Sequence, residues 1–195
     1  MNETRQAFLD ELYAHGRAHD EQREDRLQRL RNVEPETAEL LGVLVRAMNA
    51  TRVLEIGTSN GYSTIWLGDA AESVGGTVLS LEIEAERTAQ ATSNVAEAGV
   101  AEFVDLRTQD AAEALRSFAD DAFDLIFLDA ERKYYVDYWP DLIRVLRPNG
   151  LLVVDNTLSH AKELVEFSEL VYSDPAITST LVTVGAGVLL IVKSR

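Results

Sequence analysis

Along this chain, short unbroken apolar runs alternate with longer stretches in which apolar side chains recur every three or four positions. The runs are "RVLEIG" (52–57), "TVLSLE" (77–82), "EFVDLRT" (102–108), "FDLIFLD" (123–129) and "GLLVVD" (150–155). Their length and β-branched content predict strands, and their nearly continuous apolar character predicts burial on both faces. Between them, 61–72, 84–98, 111–118 and 134–147 carry the helical period, as does "PETAELLGVLVRAMN", with Pro35 at its first turn. Strands alternating with helices in this way predict a doubly wound, mostly parallel α/β sheet. The end of the chain departs from that rhythm. After a helix near 160–172, "TSTLVTVGAGVLLIVK" reads as two strands joined around Gly185–Gly187, close enough for a hairpin, so the last strands include an antiparallel pair. Residues 3–31 are rich in Glu, Arg, Gln and Leu and predict one or two exposed amphipathic helices. The expected organisation is an N-terminal helical arm at 1–31 followed by one domain at 32–195.

Composition narrows the function classes. A chain of 195 residues, 46% hydrophobic, is long enough to bury a substantial core. No apolar run approaches the ~18 residues of a membrane span. "MNETRQAFLDELY" has no apolar signal core, and the absence of cysteine fits a reducing compartment, so a cytoplasmic location without a membrane is expected. The net charge of −15 would repel a nucleic-acid backbone, which favours a small-molecule substrate as partner.

The candidate chemistry sits at the ends of the predicted strands, where open α/β sheets bind ligands. The first strand runs into "EIGTSNGYS", in which Gly57 and Gly61 would let backbone approach a ligand closely. A tight strand-to-helix turn explains the same residues. The stretch is neither a dinucleotide fingerprint, since Ser59 occupies the second glycine position, nor a P-loop. The second strand ends in Glu82, an acid at the distance expected for one that binds ribose hydroxyls, or else a surface acid opening the next helix. After the third strand, Asp110 would edge the same pocket and equally serve as a helix N-cap. The fourth strand delivers Asp129, followed closely by Arg132 and Lys133, and the fifth delivers Asp155 and Asn156.

In order and spacing, "VLEIGTSNGYSTIWL", Glu82, "QDAAEAL", "FDLIFLDAERKYY", "LRPNGLLVVDN" and "VGAGVLLIVK" resemble the S-adenosylmethionine-dependent O-methyltransferases of the catechol and caffeoyl-CoA type. The resemblance spans Asn32 to Lys193 and implies their seven-stranded Rossmann-like sheet with an antiparallel C-terminal strand. It implies that Gly57, Ser59 and Ser63 contact the methionine part of S-adenosyl-L-methionine, Glu82 its ribose, and Asp110 and Ala111 its adenine. "RNVEPE" resembles the segment that closes over the cofactor, which would involve Asn32 and Val33 through their backbone; Glu55 and Asp129 join the cofactor group. Asp129, Asp155 and Asn156 would hold Mg²⁺ or another divalent cation, leaving coordination positions for a vicinal diol.

The pattern also departs from that family. A lysine base usually follows the first metal-binding acid by three residues; here Arg132 stands there, with Lys133 one place later. A guanidinium stays protonated and cannot be the base, and Lys133 is rotated by about 100° on a helical turn. His160, just behind the metal ligands, is the preferred protein base, ahead of Lys133. The expected enzyme is thus a Mg²⁺-assisted O-methyltransferase acting on a small aromatic vicinal diol, and a homodimer. A tRNA hydroxyuridine methyltransferase and a non-catalytic cofactor-binding module are the competing expectations.

Overall fold

The computed structural model describes residues 1–194. Seven strands form one sheet: β1 (Arg52–Ile56), β2 (Thr77–Glu82), β3 (Val104–Thr108), β4 (Phe123–Leu128), β5 (Leu146–Val154), β6 (Ile177–Val182) and β7 (Val188–Lys193). Their order is β3-β2-β1-β4-β5-β7-β6, with β7 antiparallel to both its neighbours and the other pairings parallel. The predicted fold class and the terminal hairpin are therefore observed. Seven helices accompany the strands: α1 (Glu3–Glu21), α2 (Pro35–Met48), α3 (Tyr62–Val74), α4 (Ala85–Glu97), α5 (Ala111–Ser117), α6 (Tyr135–Val145) and α7 (Val165–Ser173). None of the described helices is long and apolar enough to cross a membrane.

The pleat explains why the central strands are apolar at every position. Val53, Leu125, Phe127, Leu151 and Val153 join the apolar cluster on one face, with α2 and α3. Leu54, Ile126, Leu128, Leu152 and Val154 join the other, with α5, α6 and α7. Successive side chains point to opposite faces, so a strand covered on both sides has no solvent-facing position.

Two expectations need correction. The N-terminal helix is not an exposed arm, because Leu9 and Leu12 are buried in the same cluster as α2 and α3. Arg5 is buried as well, donating to the Ala98 carbonyl at 2.9 Å, to Glu72 at 2.8 Å and, closely, to Asp69. One apolar stripe and one buried arginine suffice to dock a helix whose composition is otherwise polar. The fifth strand begins at Leu146 rather than 150, because Phe123 pairs with Leu146 across a register shift. Asn149, with φ 57°, supplies the left-handed residue at this irregularity.

Asp124, at the amino end of β4, ties three strands together. It accepts hydrogen bonds from the backbone N–H of Thr51 and Arg52, from the Arg52 guanidinium at 2.8 Å and from Arg147 Nε at 2.8 Å. Burial alone would raise its pKa, but the two arginines and the Arg52 N–H hold it down to about 2. Since the folded pKa lies below the ~3.9 of a free aspartate, this stabilisation is present above the unfolded value and lost as pH falls towards the folded one. Thermal unfolding followed by circular dichroism should show Asp124→Asn less stable than wild type at pH 7. The gap should close between about pH 4 and 2.

Candidate active site

The order of the strands reverses between β1 and β4, and at their carboxyl ends a cleft of ≈ 370 Å³ opens. Its floor is the β1–α3 turn. Gly57 has φ +104°, and a Cβ there would overlap the Asp129 carbonyl. Ser59 also has positive φ, and Gly61, at +86°, is the N-cap of α3. The turn is held from both sides: the Ser59 N–H donates to Glu82 Oε2 at 2.9 Å, and Ser59 Oγ donates to the Leu30 carbonyl at 2.7 Å.

Glu82 is buried and also accepts from the N–H groups of Ile83 and Glu84. Asp110 is the N-cap of α5, accepting from the Glu113 N–H at 3.0 Å, and it lines the cleft together with Ala111. The N-cap is thus observed, and it leaves Asp110 on the wall of the cleft. Asn32, Val33 and Ser63 line the cleft too, whereas Glu55 does not. Glu55 lies fully buried beneath the turn, accepting hydroxyl hydrogen bonds from Ser63 at 2.6 Å and from Thr64 and Ser80 at 2.5 Å. Burial pushes its carboxyl up to about 7, against the lowering effect of those donors. Glu55 thus shapes the turn from below and does not face a ligand in the cleft, which corrects its assignment to the cofactor group.

At the other end, Asp129, Asp155 and Asn156 come together. Asn156 Nδ2 donates to Asp129 Oδ1 at 3.0 Å and to Asp155 Oδ2 at 3.3 Å. Asp155 is 1% exposed, and its Oδ1 is buried without a hydrogen-bond partner. Both acids are raised above the ordinary carboxylate range, first by burial; the charge of Asp129 then opposes ionisation of Asp155, whereas Arg31, Arg132 and the Asn156 amide partly offset the rise of Asp129. Among the described residues no three His, Cys, Asp or Glu side chains form a metal-holding group. The donor set here is two carboxylates and one amide. It fits a hard divalent cation: two anionic groups share one spot, one oxygen lacks a partner, and an amide N–H edge stands between them as a partial positive charge. Rotating that amide would offer its oxygen instead.

The three basic candidates separate. Arg132 is buried and lines the cleft, donating from Nε to Glu163 at 2.9 Å. Lys133 is exposed and outside the cleft, its Nζ 4.7 Å from the Tyr134 ring centroid. His160 lines the cleft, with Nδ1 2.9 Å from Ser159 Oγ. Burial, and then the charges of Arg132, Arg26 and Arg31, lower its pKa despite Glu163.

Sequence reading missed Arg26, Arg31, Glu34 and Asn60, all of which line the cleft. The first two arrive because Asp20 accepts the N–H groups of Leu30 and Arg31 at 2.7 and 2.8 Å, folding the segment after α1 back over the opening. Arg26 and Arg31 then bind the two oxygens of Glu131, each at 2.8 Å. An aspartate ten residues before the loop it clips leaves no recognisable spacing in the sequence.

The O-methyltransferase family model matches residues 19–194. A catechol O-methyltransferase of Niastella koreensis is 34% identical over 149 residues, 75% of this chain and 65% of that protein. One from Mycobacterium tuberculosis is 37% identical over 134 residues, 69% of this chain and 60% of that protein. The chain therefore spans just under two thirds of the length of these two relatives. The crystal structure of an O-methyltransferase from Bacillus cereus in complex with SAH has a TM-score of 0.80 and 27% identity, covering 100% of this chain and 92% of that one.

Gly57→Ala should be destabilising by at least the ~1–3 kcal/mol of a strained backbone residue, because both its φ and its contact with the Asp129 carbonyl exclude a Cβ. Chemical denaturation would measure the loss. A stability equal to wild type would show that β1 and β4 can separate here without cost.

Proposed function

The chain belongs to the O-methyltransferase family, and from that premise we propose that it uses S-adenosylmethionine to methylate one hydroxyl of a small aromatic vicinal diol, assisted by Mg²⁺ or another divalent cation. The observation that carries this reading is the pairing of Asp129 with Asp155, whose Oδ1 is buried and unpartnered, in the same cleft as Glu82 and the β1–α3 turn. The SAH complex of the Bacillus cereus relative supports the cofactor, and the catechol O-methyltransferase relatives support the diol.

When bound, the cofactor supplies an electrophilic sulfonium methyl group and the cation lowers the pKa of a neighbouring hydroxyl. The remaining work belongs to the protein. Glu82 Oε2 accepts one N–H and keeps a lone pair for a ribose hydroxyl, while Asp110 and Ala111 edge the adenine. The turn at Gly57 and Ser59, with Ser63, positions the methionine end beneath Asn32 and Val33. Asp129, Asp155 and Asn156 would hold the cation, and the walls of the cleft would orient the acceptor for in-line transfer, where orientation supplies much of the acceleration.

His160 takes the hydroxyl proton. Its Nδ1 is engaged by Ser159, which leaves Nε2 for the substrate, and the surrounding arginines favour the neutral form that can accept a proton. Arg132 remains charged and contributes a field rather than a proton site.

Incubation with labelled S-adenosylmethionine, catechol and Mg²⁺ should give a methyl ether, and EDTA should stop the reaction. Asp155→Asn should abolish turnover while SAH affinity, measured by calorimetry, stays close to wild type. Activity that survives exhaustive EDTA treatment would refute the metal role of all three residues.

The two candidate bases are separable in the same assay. His160→Ala should lower kcat by the ~10²–10⁴-fold typical of lost acid–base catalysis, and Lys133→Ala should change it little. A dead Lys133→Ala beside a normal His160→Ala would reverse the assignment.

A further inference from the structure

The cleft carries both signs of charge. Glu82, Glu84 and Asp110 line the end built on β2 and β3, together with Arg87. Arg26, Arg31 and Arg132 line the end reached from the loops after β4 and β5, alongside Asp129, Glu131 and Asp155, in a chain whose net charge is −15. Two of these guanidiniums are largely answered within the protein. Arg26 and Arg31 share Glu131, with one bond of 2.8 Å to each of its oxygens.

Arg132 is different. Its side chain is 4% exposed, yet its hydrogen bonding to described residues is confined to Nε, which meets Glu163 at 2.9 Å. The two terminal Nη groups make no hydrogen bond to a described residue, and neither is among the side-chain atoms sealed from solvent without a partner. With the rest of the side chain buried, these four N–H donors are left to water or to a ligand in the cleft that Arg132 lines. Asp129, three residues earlier in the chain, lines the same cleft, so a group meeting Arg132 would lie close to the reacting hydroxyl.

We propose that Arg132 receives a carboxylate carried by the acceptor, which makes the substrate a diol acid rather than a bare diol; this rests on reading the cleft as the site of methyl transfer. Two parallel Nη–H groups match a planar carboxylate in a bidentate pair. A phosphate fits less well, because Glu131 and Glu163 flank the same arginines and oppose a second negative charge. Arg132 is on this view a specificity-determining residue. It binds a part of the acceptor that does not react, so its contribution is to acceptor affinity and appears in KM.

The test compares matched acceptors: 2,3- and 3,4-dihydroxybenzoate against their methyl esters, which keep the diol and remove the charge. For wild type, at least one acid should exceed its own ester in kcat/KM by about tenfold or more, the usual scale for a hydrogen-bonded charge pair, with the difference mainly in KM. In Arg132→Gln that ratio should collapse to within about threefold of unity. Arg132→Lys, which keeps the charge without the fork, should retain only part of the preference. Esters or catechol turned over as well as or better than the acids would overturn the carboxylate while leaving the methyltransferase reading standing. No SAH formed from any of these diols would overturn both. An acid preference that persists undiminished in Arg132→Gln would remove Arg132 from the role. The wild-type comparison needs no variant, so a poorly folding mutant would not shield the proposal.

Discussion

The structure turns on the place where β1 and β4 lie side by side and their continuations part. The chain leaving β1 enters α3 on one face of the sheet, and the chain leaving β4 enters α6 on the other, as their separate apolar clusters record. A cleft at the carboxyl ends follows from that divergence and needs no special residue. Its depth, however, depends on contact between the two strand ends. Gly57 lies against the Asp129 carbonyl with no room for a Cβ, and the Asp129 N–H bonds the Ile56 carbonyl at 3.0 Å. The cofactor turn and the first of the paired acids are thereby one rigid piece, and any ligand of the turn is held in fixed relation to any ligand of Asp129.

The roof obeys different physics. The segment between α1 and α2 is held over the opening by the Asp20 clip, the Ser59–Leu30 hydrogen bond and the Glu131 ion pairs. Pairs of this kind, partly exposed, each contribute about 0–1 kcal/mol. The floor, in contrast, is built from strands whose side chains are almost all buried. Leu30 and Val33 add buried apolar contacts to the polar ones of the roof, so the roof is packed onto the floor as well as clipped to it.

Much of this was legible in the sequence because strand periodicity and strand-end chemistry are local. "FDLIFLD" could be read as a buried strand ending in an acid, and the structure puts Asp129 at that end. The acids at Glu82 and Asp110 were likewise placed by counting from strands. What could not be read depends on contacts between distant residues. Arg5 looks like a surface arginine until Asp69 and the Ala98 carbonyl are brought to it. Glu55 looks like a ligand-facing acid because the alternation of a strand does not say which face the turn above it will cover. Arg26 and Arg31 look like charges on a solvated helix until Asp20 turns the chain. Strand ends can be counted from the sequence, whereas a clip between residues 20 and 31 emerges only when the chain is folded.

Glu55 shows how such a hidden residue serves the site. A carboxyl with no solvent contact would be destabilising if left bare, yet three hydroxyls surround it, two from the first turn of α3 and one from β2. Ser80 also meets Thr58 at 2.6 Å, so the network reaches back into the turn itself. Ser63 and Thr64 tie the start of α3 to β1, and Ser80 ties β2 to it, so the three hydroxyls together hold these elements in register beneath the cleft. An amide in place of the carboxyl would donate from its NH₂, so one hydroxyl would have to reverse its role and accept. The requirement at position 55 is therefore for a buried group that engages all three hydroxyls. It is a constraint on the shape of the turn, exerted from the side of the sheet that no ligand touches.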